Sequence, residues 1–303
     1  MKKVLLLTCL IILIPYIIVN LFIRNDEIKF KYTSNMNVRV KMVDENKIVL
    51  VPFEEYIMGV LAGEMPVSFE LEALKAQAVA ARSYVMKQMY YNRDKDYDVV
   101  DTVTNQVYLD NDYLKAAWKD DYTSKMNKIK LAVINTYNEY LDYNGSVVDA
   151  MFFSTSVGKT ENSEEIFTTA VPYLRSVDSS WDSISPVYEA NYTFDINEFY
   201  NLLGLKYSDK IDIEILSSTS TGRIKTLKIN GTYFEASKVV SKLKLKSSYF
   251  TIKKVNNLVK ITTKGYGHGV GMSQYGAQAM ALKGYTYDQI LAHYYLGTVI
   301  KKI

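Results

Sequence analysis

The chain changes its hydrophobic period between residues 38 and 61. Val38, Val40 and Met42 alternate with Arg39 and Lys41, the two-residue rhythm of a half-buried strand, and residues 48–51 read as another short strand. From Phe53 the apolar positions become Phe53, Ile57, Val60 and Leu61, a helical stripe. Pro52 suits the first turn of that helix, and Glu54 and Glu55 sit at its positive end. Pro66 drives Met65 out of helical geometry, which predicts a helix end near Glu64. A second helix is expected from Ser68 as N-cap, with Glu70 and Glu72 in its first turn. Its buried stripe is Leu71, Leu74, Ala78, Ala81, Val85 and Met89, and the small residues in its middle allow another element to come close.

Residues 93–112 read as a polar loop with a short strand at 106–109, and 113–135 as a helix. Asn144-Gly145, between residues 137–143 and 146–154, predicts a hairpin. A long polar loop follows over 155–190. Asp195-Ile196-Asn197-Glu198 predicts a capped helix ending at Gly204. Residues 210–262 alternate as strands, with Asn230-Gly231 as a further hairpin turn. One helix is expected from Ser273 to Lys283, and another from the Thr286-x-x-Gln289 capping box to Gly297. The predicted class is α+β: an N-terminal transmembrane helix, then a strand-rich body with β-hairpins and helices at both ends forming a cleft.

The transmembrane expectation rests on residues 4–23, a mostly apolar run behind Lys2 and Lys3. About 20 such residues span a bilayer. The leading lysines place the amino terminus in the cytoplasm and the body outside. No small-x-small cleavage site follows the apolar core, so the segment reads as an uncleaved anchor. The expected organisation is a transmembrane anchor with its cytoplasmic tip at 1–25, a stalk at 26–36 and an extracytoplasmic body at 37–303. The protein is thus expected in the cell membrane, spanning it once.

Composition narrows the chemistry. A net charge of +3 over 303 residues gives no argument for nucleic acid. The 26 tyrosines fit sugar-stacking surfaces, but the accompanying preference for Lys over Arg makes codon bias the simpler cause. Cys9 is the one cysteine, so the body has no intramolecular disulfide and no thiolate site. His268 and His293 are the only histidines and no HExxH is present, so neither a metal nor a cofactor is expected.

Glu64 falls on the apolar face of its own helix, at the negative end. Both conditions raise a carboxyl's pKa, which a general acid at neutral pH requires. On spacing alone, an ordinary helix-end carboxylate is the commoner outcome. Lys75 and Arg82 share an edge of the second helix, about 10.5 Å apart along the axis. They read either as a solvated edge or as cations for an acidic substrate. Gly265-Tyr266-Gly267-His268-Gly269-Val270-Gly271-Met272-Ser273-Gln274-Tyr275-Gly276 marks a tight loop running into a helix. It lacks the Lys-Ser/Thr ending of a phosphate loop, the βαβ context of a dinucleotide site and the spacing of a nucleophile elbow. His268 reads as a base, a substrate contact or a structural hydrogen-bonder, and unaided the last is the simplest. Thr160, Glu161, Asn162, Asp178 and Asp182 read as turn residues.

Taken together, EYIMGVLAGEMPVSFELEALKAQAVAARSYV, FFSTSVGKTENSEEIF, PYLRSVDSSWD, STGRIKTLKI, GYGHGVGMSQYGAQAMA and ILAHYYLGT closely resemble the stage II sporulation protein D family, in order, over roughly residues 38–300. The resemblance implies that 37–303 is the catalytic domain of a membrane-anchored lytic transglycosylase. Such an enzyme cleaves the MurNAc–GlcNAc linkage of peptidoglycan strands, preferably denuded ones, leaving 1,6-anhydroMurNAc during engulfment. It also implies two partners: a cell-wall amidase, stage II sporulation protein P, and the membrane protein stage II sporulation protein M. Carried onto this chain, Glu64 is the acid/base. Lys75, Arg82, Lys159, Thr160, Tyr173, His268, Ser273, Gln274 and Tyr275 match substrate-binding motifs. Where the family loop usually reads Ser-Gly-Gly, this chain has Ser156-Val157-Gly158, and the usual LGLRS is Leu243-Lys244-Leu245-Lys246-Ser247. Some relatives carry a Cys/His zinc site, for which this body has no cysteine. The alternative within the family is a non-catalytic glycan binder that modifies a cell-wall amidase.

Overall fold

The computed structural model describes residues 27–30 and 36–303. The anchor expected at 1–25, Cys9 within it, and most of the stalk lie outside the described residues. Among the described residues no helix is long and apolar enough to cross a membrane.

Strands β1 (Asn37–Met42) and β2 (Lys47–Pro52) form an antiparallel hairpin that buries Val38 and Val40. Helix α1 (Phe53–Glu64) follows directly, and Met65 is extended at φ −122° and ψ 139°, as a residue before proline must be. Helix α2 (Leu71–Tyr91) starts later than Ser68 predicts. Residues 66–69 form a turn in which the Phe69 N–H donates to the Pro66 carbonyl. The Glu70 N–H then donates to Gln278 Oε1 at 2.7 Å, so a distant side chain satisfies a group that a local cap would have served.

Strand β3 (Val99–Val100) adds to β1 in parallel, a pairing the loop reading missed. The expected strand at 106–109 joins no sheet; it runs against α1, where the Leu109 N–H donates to the Gly59 carbonyl. The helix expected over 113–135 is two, α3 (Asn111–Trp118) and α4 (Tyr122–Asn135), broken where Lys119 takes φ 48°. Strands β4 (Glu139–Tyr143) and β5 (Ser146–Val147) flank Asn144-Gly145, both at positive φ as the hairpin turn requires. β5 is short because the chain leaves it for β6 (Phe152–Phe153), which pairs in parallel with β13 (Met272–Ser273).

Between those paired strands lie the short α5 (Ser163–Ile166) and a second lobe. The lobe comprises β7 (Glu189–Asp195), α6 (Ile196–Leu203), β8 (Ile213–Ser218), β9 (Ile224–Ile229), β10 (Thr232–Glu235), α7 (Ala236–Lys242), β11 (Phe250–Val255) and β12 (Leu258–Lys264). Its sheets run β10-β9-β8 and β11-β12-β7 around a core of its own, with Phe199, Leu227, Ile229, Val259 and Ile261 buried. Asp195 caps α6, Gly204 ends it at φ 73°, and Asn230-Gly231 turns the chain, all as the sequence predicts. α7 interrupts the strand run expected over 210–262, burying Ala236 and Val239 on one face. Helices α8 (Gln274–Leu282) and α9 (Tyr287–Tyr294) return to the first core, α9 opened by the Thr286/Gln289 capping box. Strand β14 (Val299–Lys302) pairs with β4.

The architecture is α+β, with α2 at the centre of the larger core. Ala73, Ala76, Ala78, Ala80 and Ala81 are fully buried, and α1, α4, α8 and α9 all pack on this helix. One charged group lies among them. Arg82 is fully buried and forks onto Glu54 of α1, through Nε–Oε1 at 3.1 Å and Nη2–Oε2 at 2.9 Å. Its Nη1 donates to the Glu139 carbonyl at 2.7 Å, tying β4 to the same pair. Arg82 is therefore neither on a solvated edge nor exposed to a ligand.

We expect Arg82→Ala to lower unfolding stability by about 3–5 kcal/mol, because it strands a buried carboxylate. Urea denaturation measures this; an unchanged midpoint with a raised KM would instead make Arg82 a substrate contact. Gly276→Ala should cost about 1–3 kcal/mol on the same measurement. Its Cβ would stand 2.0 Å from Tyr294 Oη and 2.6 Å from Asp182 Oδ1.

Candidate active site

Glu64 closes α1, and its surroundings follow from two glycines on that helix. A Cβ on Gly59 would meet Leu109 O at 2.6 Å, and one on Gly63 would meet Val107 O at 2.6 Å. The bare face lets residues 106–109 lie against the helix backbone. Tyr56 Oη donates to Gln106 Oε1 at 3.1 Å, and the Tyr56 and Tyr108 rings stack at 5.4 Å, holding the segment in place. The Val107 N–H thereby reaches Glu64 Oε1 at 2.6 Å.

Gln274, the first residue of α8, comes from the other side. Its side chain is buried beside the Glu64 carboxyl, and its Nε2 makes no direct hydrogen bond within the protein. Burial raises the Glu64 pKa above its ordinary value, while the Val107 N–H and Gln274 pull the other way. No basic residue occupies the last turn of α1. The C-terminal end of the helix dipole adds to the disfavour of charge. A carboxyl held this way keeps its proton to higher pH than a solvated one and can deliver it to an oxygen within hydrogen-bond reach.

Ser273 presents Gln274. Its hydroxyl donates to Asp182 Oδ2 at 2.6 Å and accepts from the Gly276 N–H at 3.2 Å, capping α8. Asp182 is fully buried and also accepts from the Ser156 N–H and Ser179 Oγ. One carboxylate thus joins FFSTSVGKT, SVDSSWD and GMSQYG. The turn reading of Asp182 missed this, because its partners are remote in sequence. The loop glycines serve the same approach: a Cβ on Gly271 would sit 2.0 Å from the Met151 carbonyl.

The remaining predicted residues divide. Thr160 is fully buried, its hydroxyl donating to the Arg175 carbonyl and accepting from the Val177 N–H, so it is not open to a ligand. Ser273 is likewise buried as a cap. Lys75 pairs with Glu72 at 2.6 Å and lies 5.6 Å over the Tyr287 ring, so its charge is taken up within the protein. Lys159 is exposed, and its backbone pairs antiparallel with that of Asp178. Tyr275 packs edge-on to Phe69 at 5.0 Å. His268 lies between Phe153 and Phe167, and its Nδ1 accepts from the Val270 N–H at 3.0 Å. Burial, with the nearby Arg223 charge, pushes its pKa down to about 4 against a hydrogen bond with the Phe152 backbone, so at neutral pH it is uncharged. Glu161, read as a turn, is fully buried and pairs with Arg223 at 3.0 Å, and Arg223 Nη1 donates to the Gly267 carbonyl. That pair fastens the second lobe to the glycine-rich loop. A cavity between residues 27–30 and α1 is lined by Met58, Gly59 and Tyr108 and does not include Glu64.

Sequence reasoning missed Tyr84 and Asp149. Tyr84 follows Gln77 by seven residues on α2, a spacing that places both on one face. Its hydroxyl accepts from Asn105 Nδ2 at 3.0 Å and feels the charge of both Glu64 and Asp149. Tyr173 Oη accepts from the Asp149 N–H at 3.1 Å.

A sequence model of the family described as Stage II sporulation protein matches residues 42–143. The chain is 40% identical to Stage II sporulation protein D of Bacillus subtilis (strain 168) over 274 residues, which cover 89% of this chain and 80% of that protein. It is 42% identical to Stage II sporulation protein D of Bacillus amyloliquefaciens over the same shares. It is also 32% identical to a B. subtilis protein named Amidase enhancer, over 80% of this chain but 40% of that longer protein. Identity of this extent, together with motifs that the fold gathers around Glu64 and Gln274, establishes that the chain belongs to the stage II sporulation protein D family.

Proposed function

We propose that this protein is a lytic transglycosylase that cuts denuded peptidoglycan strands during sporulation, anchored in the cell membrane with residues 37–303 outside. The observation that carries this reading is the half-buried carboxyl of Glu64, its pKa raised by burial, at the end of α1 opposite Gln274. Protonated Glu64 donates to the oxygen linking MurNAc to GlcNAc, and that C–O bond breaks. The oxocarbenium-like centre is captured by the C6 hydroxyl of the same MurNAc, whose proton returns to Glu64. The products are a 1,6-anhydro end and a free GlcNAc hydroxyl. One acid suffices because the substrate supplies its own nucleophile, whereas paired-carboxylate hydrolysis needs a second acid. Of the two carboxyls that keep a hydrolytic version open, Asp182 is engaged in three internal hydrogen bonds, which supports the single-acid reading, and Asp178 is exposed. Stage II sporulation proteins P and M are proposed as the amidase and membrane partners.

The similarity to a protein named Amidase enhancer favours one other reading, a glycan-binding partner that raises the activity of a cell-wall amidase. The two separate on denuded glycan without amidase. There we expect Glu64→Gln to lose about 10²–10⁴-fold in rate, and mass spectrometry to find 1,6-anhydroMurNAc ends. Full activity in the variant selects the amidase reading, and reducing MurNAc ends select hydrolysis. The acid must be protonated, so the rate should fall as pH rises through the raised Glu64 pKa. The alkaline limb therefore lies above the ordinary carboxyl range. Gln274 favours the charged form, so Gln274→Leu should move that limb to higher pH in a pH–rate profile.

A further inference from the structure

Asp149 is a carboxylate that the fold leaves without a full set of partners. It lies between the β4–β5 hairpin and β6, and its Oδ1 is buried with no hydrogen-bond partner in the protein. A buried acceptor left bare costs folding free energy, and such groups are uncommon where nothing calls for them. Of the fully buried carboxylates, Glu54 holds Arg82, Asp182 holds two hydroxyls and an N–H, and Glu161 holds Arg223 through Oε1 while its Oε2 stays unpartnered.

Its neighbours show what Asp149 faces. Its charge bears on the hydroxyls of Tyr84, Tyr91, Tyr173 and the fully buried Tyr295, and Lys87 is the cation that acts on it. Tyr84 and Tyr91, seven residues apart on α2, lie on one face of that helix, about 10.5 Å from each other along its axis. Tyr84 feels the charge of Glu64 as well as that of Asp149. Tyr91 is 54% exposed, with Lys87 5.3 Å from its ring centroid. Tyr173, which accepts from the Asp149 N–H, packs on Tyr143 at 5.3 Å. Asp149 and Glu64 thus have one neighbour in common, the Tyr84 hydroxyl, and beside Asp149 stand the half-buried Tyr173 ring and the exposed Tyr91 ring. Sugars offer matching chemistry: hydroxyl and acetamido N–H donors at the ring edge, and C–H faces that pack on aromatics.

We propose that Asp149 is a substrate-binding carboxylate, accepting a hydrogen bond from a hydroxyl or acetamido N–H of a glycan sugar near the linkage that Glu64 protonates. This rests on the glycan-cleaving reading, but only for the identity of the ligand. A charged acceptor lost from such a bond weakens binding about tenfold or more.

The test separates binding from chemistry by working in full-length Glu64→Gln protein. Calorimetry with denuded glycan strands should give a dissociation constant at least tenfold weaker when Asp149→Ala is added. Asp149→Asn, nearly the same shape, should weaken it by a smaller factor. Melting temperature should hold or rise in both, since the change removes an unsatisfied buried group rather than a scaffold contact. Equal affinity with and without Asp149→Ala would overturn the proposal, as would a fall in melting temperature accompanying the loss of binding. Failure of the cleavage reading appears elsewhere, as glycan cutting that persists in Glu64→Gln alone.

Discussion

The contact on which this site depends is between two stretches of backbone. Gly59 and Gly63 strip one face of α1, and residues 106–109 lie against it more closely than any side chain would permit. The approach shields Glu64 from water on that side and offers it one N–H, from Val107. Shielding favours the neutral carboxyl, and the opposing pull of the Val107 N–H and Gln274 is too little to cancel it. A carboxylate receiving two or three backbone donors would be a poor acid, and one left in solvent would carry no proton at neutral pH. The glycines thus set the acidity of a residue they do not touch through their own side chains.

Around this contact the protein uses its buried charges for different purposes. Glu54 and Arg82 lock α1, α2 and β4 into one body. Glu161 and Arg223 join the second lobe to the glycine-rich loop. Asp182 gathers three chain segments and orients the start of α8, which delivers Gln274. Each is costly to bury and costly to break, so each specifies a geometry more than it adds net stability. Gln274 and Asp149 lack such a partner, and both keep a buried polar atom without a hydrogen bond within the protein.

What the sequence revealed depended on range. The end of α1 at Glu64, the cap and stop of α6, the Asn-Gly turns and the Thr286/Gln289 box are decided within a few residues, and they were legible. The start of α2 was not, because Gln278 supplies its acceptor from far along the chain. α7 was hidden in a strand-like run, where its short apolar face resembles alternation. Arg82 looked like a surface cation because nothing within a turn of it discloses Glu54. The same limit concealed Asp149. A lone Asp in a hairpin block carries no local sign that tyrosines from α2 and from the loop before residue 174 will surround it.

The second lobe departs from the larger body and rejoins it through neighbouring strands, with Glu189 of β7 opposite Lys264 of β12. Its entry and exit are thus stitched side by side, and its core shares none of the fully buried residues of the other. Such a stem makes the lobe a graft: everything beyond the stem can be enlarged, trimmed or recast without re-routing the chain through the larger body. The graft can then change while Glu64 and its glycine-faced helix stay constant.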